Sequence, residues 1–256
     1  MTKKNTNNKK KLDKKEITNN VICNGAEENV SKLQKIEIPA YSLGEEITNA
    51  IVHGVGALLS VAALVLCVVF SAIHGNAYAV VSSCIYGSTL IILYTMSCLY
   101  HSLKVNRAKK VFRIIDHCSI FLLIAGTYTP YSLVTLNGWL GWTVFGVIWG
   151  CAIIGIILNA IDIKKYKIIS MVLYIAMGWA IIFAVKPLIK VLPIGGFYLL
   201  LAGGIIYTIG GVIYALKLPI FNNRHKYFGS HEIFHLFVMA GSFCHFVLMY
   251  NFITMM

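Results

Sequence analysis

Beyond Glu46 the chain carries only three acidic residues, Asp116, Asp162 and Glu232, against seven up to that point. Charged residues of either sign make up 12% of its 256 residues. A soluble globular domain carries about 25%, so a water-soluble enzyme is excluded for most of the length. No carboxylate falls at the middle of an apolar run, which argues against a proton or ion transporter. The runs also lack a polar stripe along their length, which argues against a pore-forming cytolysin. The 7 cysteines (Cys23, Cys67, Cys84, Cys98, Cys118, Cys151 and Cys244) form no CxxC pair. They read as small buried hydrophobes rather than disulfides or a thiolate metal site. No apolar core follows the lysine- and asparagine-rich start at the usual distance, so no cleavable signal peptide is expected.

What the chain has instead is apolar length. Hydrophobic residues are 58% of it and its mean hydropathy is +0.74. Seven runs, at about 51–73, 77–100, 111–133, 139–161, 168–185, 196–216 and 232–253, each approach the ~20 residues that cross ~30 Å of hydrocarbon. In lipid the backbone must satisfy its own hydrogen bonds, so runs of this kind are helices. The expected fold is all-α, a seven-transmembrane helix bundle over residues 39–256. Pro130 is expected to kink or end the third helix. Residues 39–46 lead into the first helix along the membrane surface.

Residues 1–38 read as a disordered basic cytoplasmic tail, too polar to bury a core. Its lysines (Lys3, Lys4, Lys9, Lys10, Lys11, Lys14 and Lys15) have no interleaved aromatics for base stacking, so no nucleic-acid partner is expected. Lysine and arginine alternate across the connections. Lys104, Arg107, Lys109, Lys110 and Arg113 lie on one side with Lys164, Lys165 and Lys167, and with Lys217, Arg224 and Lys226. The opposite turns hold little beyond Lys186 and Lys190. This places the N-terminus in the cytoplasm and the C-terminus outside, in a multi-pass protein of the cell membrane.

With this topology, residues far apart in sequence fall at one depth. Ser97 and His101 end the second span, Asp116 lies one to two turns into the third, and His231 and His235 open the seventh. Histidines four apart share a helix face, and ionisable groups within apolar spans are functional candidates by default. Three neutral imidazoles plus a water make a common open zinc site, and zinc lowers the pKa of such a water toward ~7. Imidazole-rich sites favour zinc without excluding iron or manganese. Asp116 is the candidate to orient that water or take its proton. Ser97 sits one turn deeper than His101 and can donate to a substrate carbonyl or to the carboxylate. Glu232 is rotated about 100° off the histidine face.

The blocks Glu45-Glu46-Ile47-Thr48-Asn49-Ala50-Ile51-Val52-His53-Gly54, Ser97-x-x-x-His101, Asp116 followed by 120–130, and His231-x-x-x-His235 resemble, in order and spacing, those of the bacterial hemolysin III family. That family groups with the progestin and adipoQ receptors, and the resemblance covers residues 40–256. It implies a seven-helix protein with a cytoplasmic N-terminus and zinc near that face. Carried over by position, His101, His231 and His235 would ligate the zinc, Asp116 would hold the water on it, and Ser97 would be its neighbour. Kinship with alkaline ceramidases implies hydrolysis of an amide or ester bond in a membrane lipid. The alternative is a non-enzymatic zinc-stabilised protein, a receptor or regulator of membrane homeostasis, with lipid as ligand. A cytolysin, as the family name suggests, is the weakest reading.

Other polar residues are expected to play lesser parts. His53, with Asn49 one turn before it, is a candidate to bond a ligand imidazole or a carboxylate from behind. His117 adjoins Asp116 and is expected to point elsewhere. His245 lies about 15 Å along the helix from His235, too far to share a metal, though able to line a cavity above it. His74 and His225 are expected in connections, and Asp162 is a boundary charge.

Overall fold

The computed structural model describes residues 36–216 and 229–256. The expected disordered tail therefore lies almost wholly outside the described residues, as do Cys23, Lys217, Arg224, Lys226 and His225. Among the described residues, seven helices are long and apolar enough to cross a membrane: α1 Leu43–His74, α2 Ala77–Ser102, α3 Arg107–Leu136, α4 Gly138–Asp162, α5 Lys167–Val191, α6 Ile194–Leu216 and α7 Ser230–Ile253. They run up and down in sequence. α1 packs on α2, α2 on α3, α3 on α4, α4 on α5 and α6 on α7, and α7 returns to α1.

Helix starts follow local chemistry. Ser42 caps α1 reciprocally with Glu45: its side chain accepts from the Glu45 amide at 3.2 Å, and Glu45 Oε2 accepts from the Ser42 amide at 2.7 Å. Asn76 and Asn106 cap α2 and α3 in one direction only, each side-chain oxygen accepting from the amide three residues on, that of Ala79 and of Lys109. The turn before α4 is Asn137-Gly138, both at positive φ, 40° and 53°. The buried stripe of α1 is Asn49, His53, Gly56, Ser60, Ala63, Cys67 and Ser71, while leucines and valines face outward. That inversion suits a bilayer, where small residues let helices approach and apolar chains face lipid.

Two expectations about helix bounds need correction. α1 begins at Leu43, so Glu45 and Glu46 form its first turn instead of lying along a surface, because the Ser42 box starts the helix early. The regular α-helix of the third span ends at Pro130, as expected, but the chain does not leave the helix there and goes on as a π-helical turn over Tyr131–Leu136. α5 passes through a 3-10 turn at Ala180–Ala184 and runs to Val191. Lys186 and Lys190 are thus on its last turns rather than in a connection.

The up-and-down course sets the start of α1, the end of α2, the start of α3 and the start of α7 at one end of the bundle. All the polar residues singled out around His101 belong to these four segments.

Candidate metal centre

His101, His231 and His235 converge. Each presents one ring nitrogen such that the three lie within 4.8 Å of one another. The Nε2 atoms of His101 and His231 are 3.2 Å apart. Two nitrogens bound at 2.0–2.1 Å to one tetrahedral zinc would be about 3.3 Å apart, so the observed pair fits a shared ion. His235 stands over both, with ring centroids 4.4 Å from His231 and 5.2 Å from His101. Its Nδ1 is buried without a hydrogen-bond partner. Three imidazoles with nitrogen lone pairs to offer could hold a zinc ion or another imidazole-seeking metal.

The other sequence candidates gather at the same place. Ser97, Asp116, His231, His235 and His53 line one cavity of ≈ 1390 Å³. Asp116 lies close enough to His101 and Ser97 to interact with both. The Ser97 hydroxyl is buried and outside hydrogen-bonding geometry with any partner. From this polar end the cavity extends between α3, α5, α6 and α7 past Leu123, Ile124, Ile181 and Leu200 to Tyr131 and His245. His245 thus lines the cavity far from the cluster, hydrogen-bonded at 2.7 Å to the Tyr131 hydroxyl.

One expectation is revised. His53 makes no hydrogen bond to an imidazole or carboxylate; it stacks on His235, and both its ring nitrogens lack partners. His117 lines the same large cavity as Asp116, one position round α3 from it. Asn49 does reach the α7 start, donating from Nδ2 to Glu232 Oε1 at 2.6 Å, while Glu232 Oε2 accepts from the Gly229 amide at 2.6 Å. Asp162 accepts from the Lys164 and Lys165 amides and is a boundary residue as expected.

Glu46, Lys109 and Tyr41 went unassigned in the sequence. Glu46 Oε2 is 2.7 Å from His101 Nδ1, and Glu46 Oε1 is 2.6 Å from Lys109 Nζ. The signal was present in spacing: Glu46, Asn49 and His53 lie at i, i+3 and i+7 on one face of α1. Lys109 counted as one more boundary cation, yet it is 1% exposed. Tyr41 stacks on His231 at 5.1 Å and meets His101 edge-on at 5.9 Å. Burial raises its phenol well above the ordinary value. Tyr41 belongs to segment 36–42, which lines the cavity over the cluster. The segment is pinned by Arg113 donating to the Glu37 carbonyl and by Lys164 Nζ at 2.7 Å from Glu37 Oε1.

Residues 41–246 match the family described as Haemolysin-III related. The chain is 47% identical over 199 residues to Hemolysin-3 of Bacillus cereus, covering 77% of this chain and 87% of that protein. It is 42% identical over 202 residues to the Hemolysin-3 homolog of Bacillus subtilis (strain 168), covering 79% and 91%. A more distant relative is the Monocyte to macrophage differentiation factor of Homo sapiens, 25% identical over 218 residues, covering 82% and 84%. No solved structure matches the chain. The matched stretch contains His101, His231 and His235 together with Tyr41, Glu46, Asn49, His53, Ser97, Lys109 and Asp116.

Proposed function

The chain belongs to the haemolysin-III related family of multi-pass membrane proteins, and we propose that it works there as a metal-dependent hydrolase of amide or ester bonds in membrane lipids. The observation that carries this reading is the shared cavity. Three imidazoles present ring nitrogens within 4.8 Å of one another, and two of them, His231 and His235, line one end of a largely apolar chamber together with the Asp116 carboxylate and the buried Ser97 hydroxyl.

A zinc ion held by His101, His231 and His235 would supply a Lewis acid and an acidified water. Asp116 takes the proton from the attacking water as general base and returns it to the leaving group. Ser97 donates its hydroxyl to the carbonyl oxygen as negative charge builds there. The apolar walls bind the acyl chain and hold the carbonyl at the polar end. Segment 36–42, with Tyr41 against His231, keeps bulk water from the reacting bond. A lipid's amide or ester linkage sits at the edge of the hydrocarbon, and these residues lie towards the ends of their apolar spans, which supports such a substrate.

The test is metal content and turnover of the purified protein on a panel of amide- and ester-linked lipids. One metal per chain is expected. Asp116→Ala should keep the metal and lose ~10²- to 10⁴-fold in turnover. Ser97→Ala should keep the metal and lose on the order of 10²-fold. Full turnover by Asp116→Ala would remove this mechanism.

One observation favours a second reading. The cluster joins α2 to α7, so an ion there would brace the bundle whether or not it catalyses. On that reading the protein is a lipid receptor or regulator, and chelation lowers stability while no lipid on the panel is hydrolysed.

A further inference from the structure

We propose that Glu46 is a positioning residue that sets the tautomer of His101, and that Lys109 fixes which way Glu46 must act. This rests on the metal reading above for its purpose, but its geometry stands independently. A carboxylate only accepts hydrogen bonds. At 2.7 Å from Glu46 Oε2, His101 Nδ1 must therefore carry the proton. In the neutral ring Nε2 is then left with its lone pair, and Nε2 is the atom that faces His231 Nε2 at 3.2 Å. Hydrogen bonding to the far ring nitrogen is how a ligating imidazole is commonly oriented.

Lys109 makes the arrangement directional. Its ammonium is a donor only. It gives one hydrogen bond to Glu46 Oε1 at 2.6 Å and one to the Leu103 carbonyl at 3.0 Å, and it lies over the Tyr100 ring at 5.1 Å. A lysine this buried is rarely tolerated without a partner. Glu46 thus faces a donor with each oxygen, His101 on one side and Lys109 on the other. It ties α1, α2 and α3 together at the end of the bundle where the imidazoles meet.

The arrangement makes Glu46→Gln more than a loss of charge. Lys109 can only donate, so it claims the amide oxygen of the new side chain. The amide NH₂ is then turned to His101 Nδ1, which must accept. The proton moves to Nε2, and the imidazole presents N–H where the metal needs a lone pair. Replacing Lys109 by Met as well removes that claim. The glutamine can then turn its oxygen to Nδ1, and the original tautomer returns. A purely structural ion pair predicts no such rescue, because the double variant lacks the pair altogether.

The experiment is zinc affinity, by competition with a fluorescent chelator, for the wild type, Glu46→Gln, Lys109→Met and the double variant in detergent. It is paired with ¹⁵N NMR of the metal-free proteins labelled at histidine, with His101→Asn identifying the His101 signal. Expected are Nδ1–H in the wild type and Nε2–H in Glu46→Gln. Zinc binding should weaken ~10- to 100-fold in Glu46→Gln and return to within a few-fold of wild type in the double variant. An unchanged tautomer in Glu46→Gln, or equal zinc affinity in Glu46→Gln and wild type, overturns the positioning role. A wild type with Nδ1–H that binds no zinc overturns the metal reading instead, and the two failures are thus told apart.

Discussion

The imidazole of His53 lies flat against that of His235, ring centroids 3.7 Å apart and planes inclined by 12°. Tyr94 closes on the same ring edge-on at 5.0 Å. Neither nitrogen of His53 has a hydrogen-bond partner, and a buried polar group left unmet costs about 1–3 kcal/mol. His53→Phe keeps the stacked ring and drops the unmet atoms. Its metal-free unfolding midpoint in detergent should rise, with zinc affinity within about threefold of wild type. His53→Ala leaves a void beside His235 and should lower stability by on the order of 2 kcal/mol. A large loss of zinc binding by His53→Phe would show that its nitrogens act directly on the site.

How far the sequence revealed this site depends on which physical signal each residue left. His101, Asp116, His231 and His235 were legible because an ionisable group in an apolar span is costly, and the alternation of helices put all four at one end. Seven spans were legible from apolar length alone. Glu46 and Lys109 were not, since both lie at a helix start where charge is ordinary, and only the packing of α1, α2 and α3 encloses them. His53 stood out as a residue but not in its contact, because stacking leaves no pattern in spacing. The course of α3 past Pro130 was hidden for a related reason. A proline removes one donor, and whether the chain breaks or loosens into a π turn is decided by neighbouring helices.

Close approach of α1 and α2 is expected to depend on Gly87. A Cβ there would meet the Leu64 side chain at 2.5 Å and its Cα at 2.9 Å. A backbone atom cannot turn aside as a side chain can, so Gly87→Ala should push the helices apart and lower stability by about 1–3 kcal/mol. Gly146 on α4 has nothing within 4 Å of such a Cβ. Gly146→Ala should be neutral or stabilising by up to about 1 kcal/mol through helix propensity. Thermal unfolding of both variants in one detergent makes the comparison, and equal effects would contradict this account of the helix contact.

The pin at Glu37 is expected to respond to acid. The Lys164 ammonium, by hydrogen bond and charge, holds the Glu37 carboxyl below its ordinary value of 4.5. A depressed folded pKa means the contact contributes at neutral pH and is lost as pH falls through that lower value. The pair is exposed, so salt should weaken it as well. Spin labels at Ala40→Cys and Ile161→Cys should give a narrow distance distribution at pH 7. The distribution should broaden for the wild type only in strong acid, and for Glu37→Gln already at pH 7. An unchanged distribution in Glu37→Gln would leave segment 36–42 held by Arg113 and Tyr41 alone.

Metal removal should be read in stability as well as in turnover. An ion bound only by the folded state stabilises it by RT ln(1 + [L]/Kd), about 2.7 kcal/mol when free metal is 100-fold above Kd. Here the gain would be concentrated between α2 and α7, since His101 comes from one and His231 and His235 from the other. Excess zinc should therefore raise the unfolding midpoint of the wild type, and a chelator should lower it. His235→Ala should be indifferent to both, because two imidazoles do not close the site. Leu236→Phe, at an outward-facing position of α7 exposed at 43%, should respond to zinc as the wild type does. A wild-type midpoint that moves with neither zinc nor chelator would mean that the three imidazoles pack together without an ion, and the hydrolytic reading would fall with it.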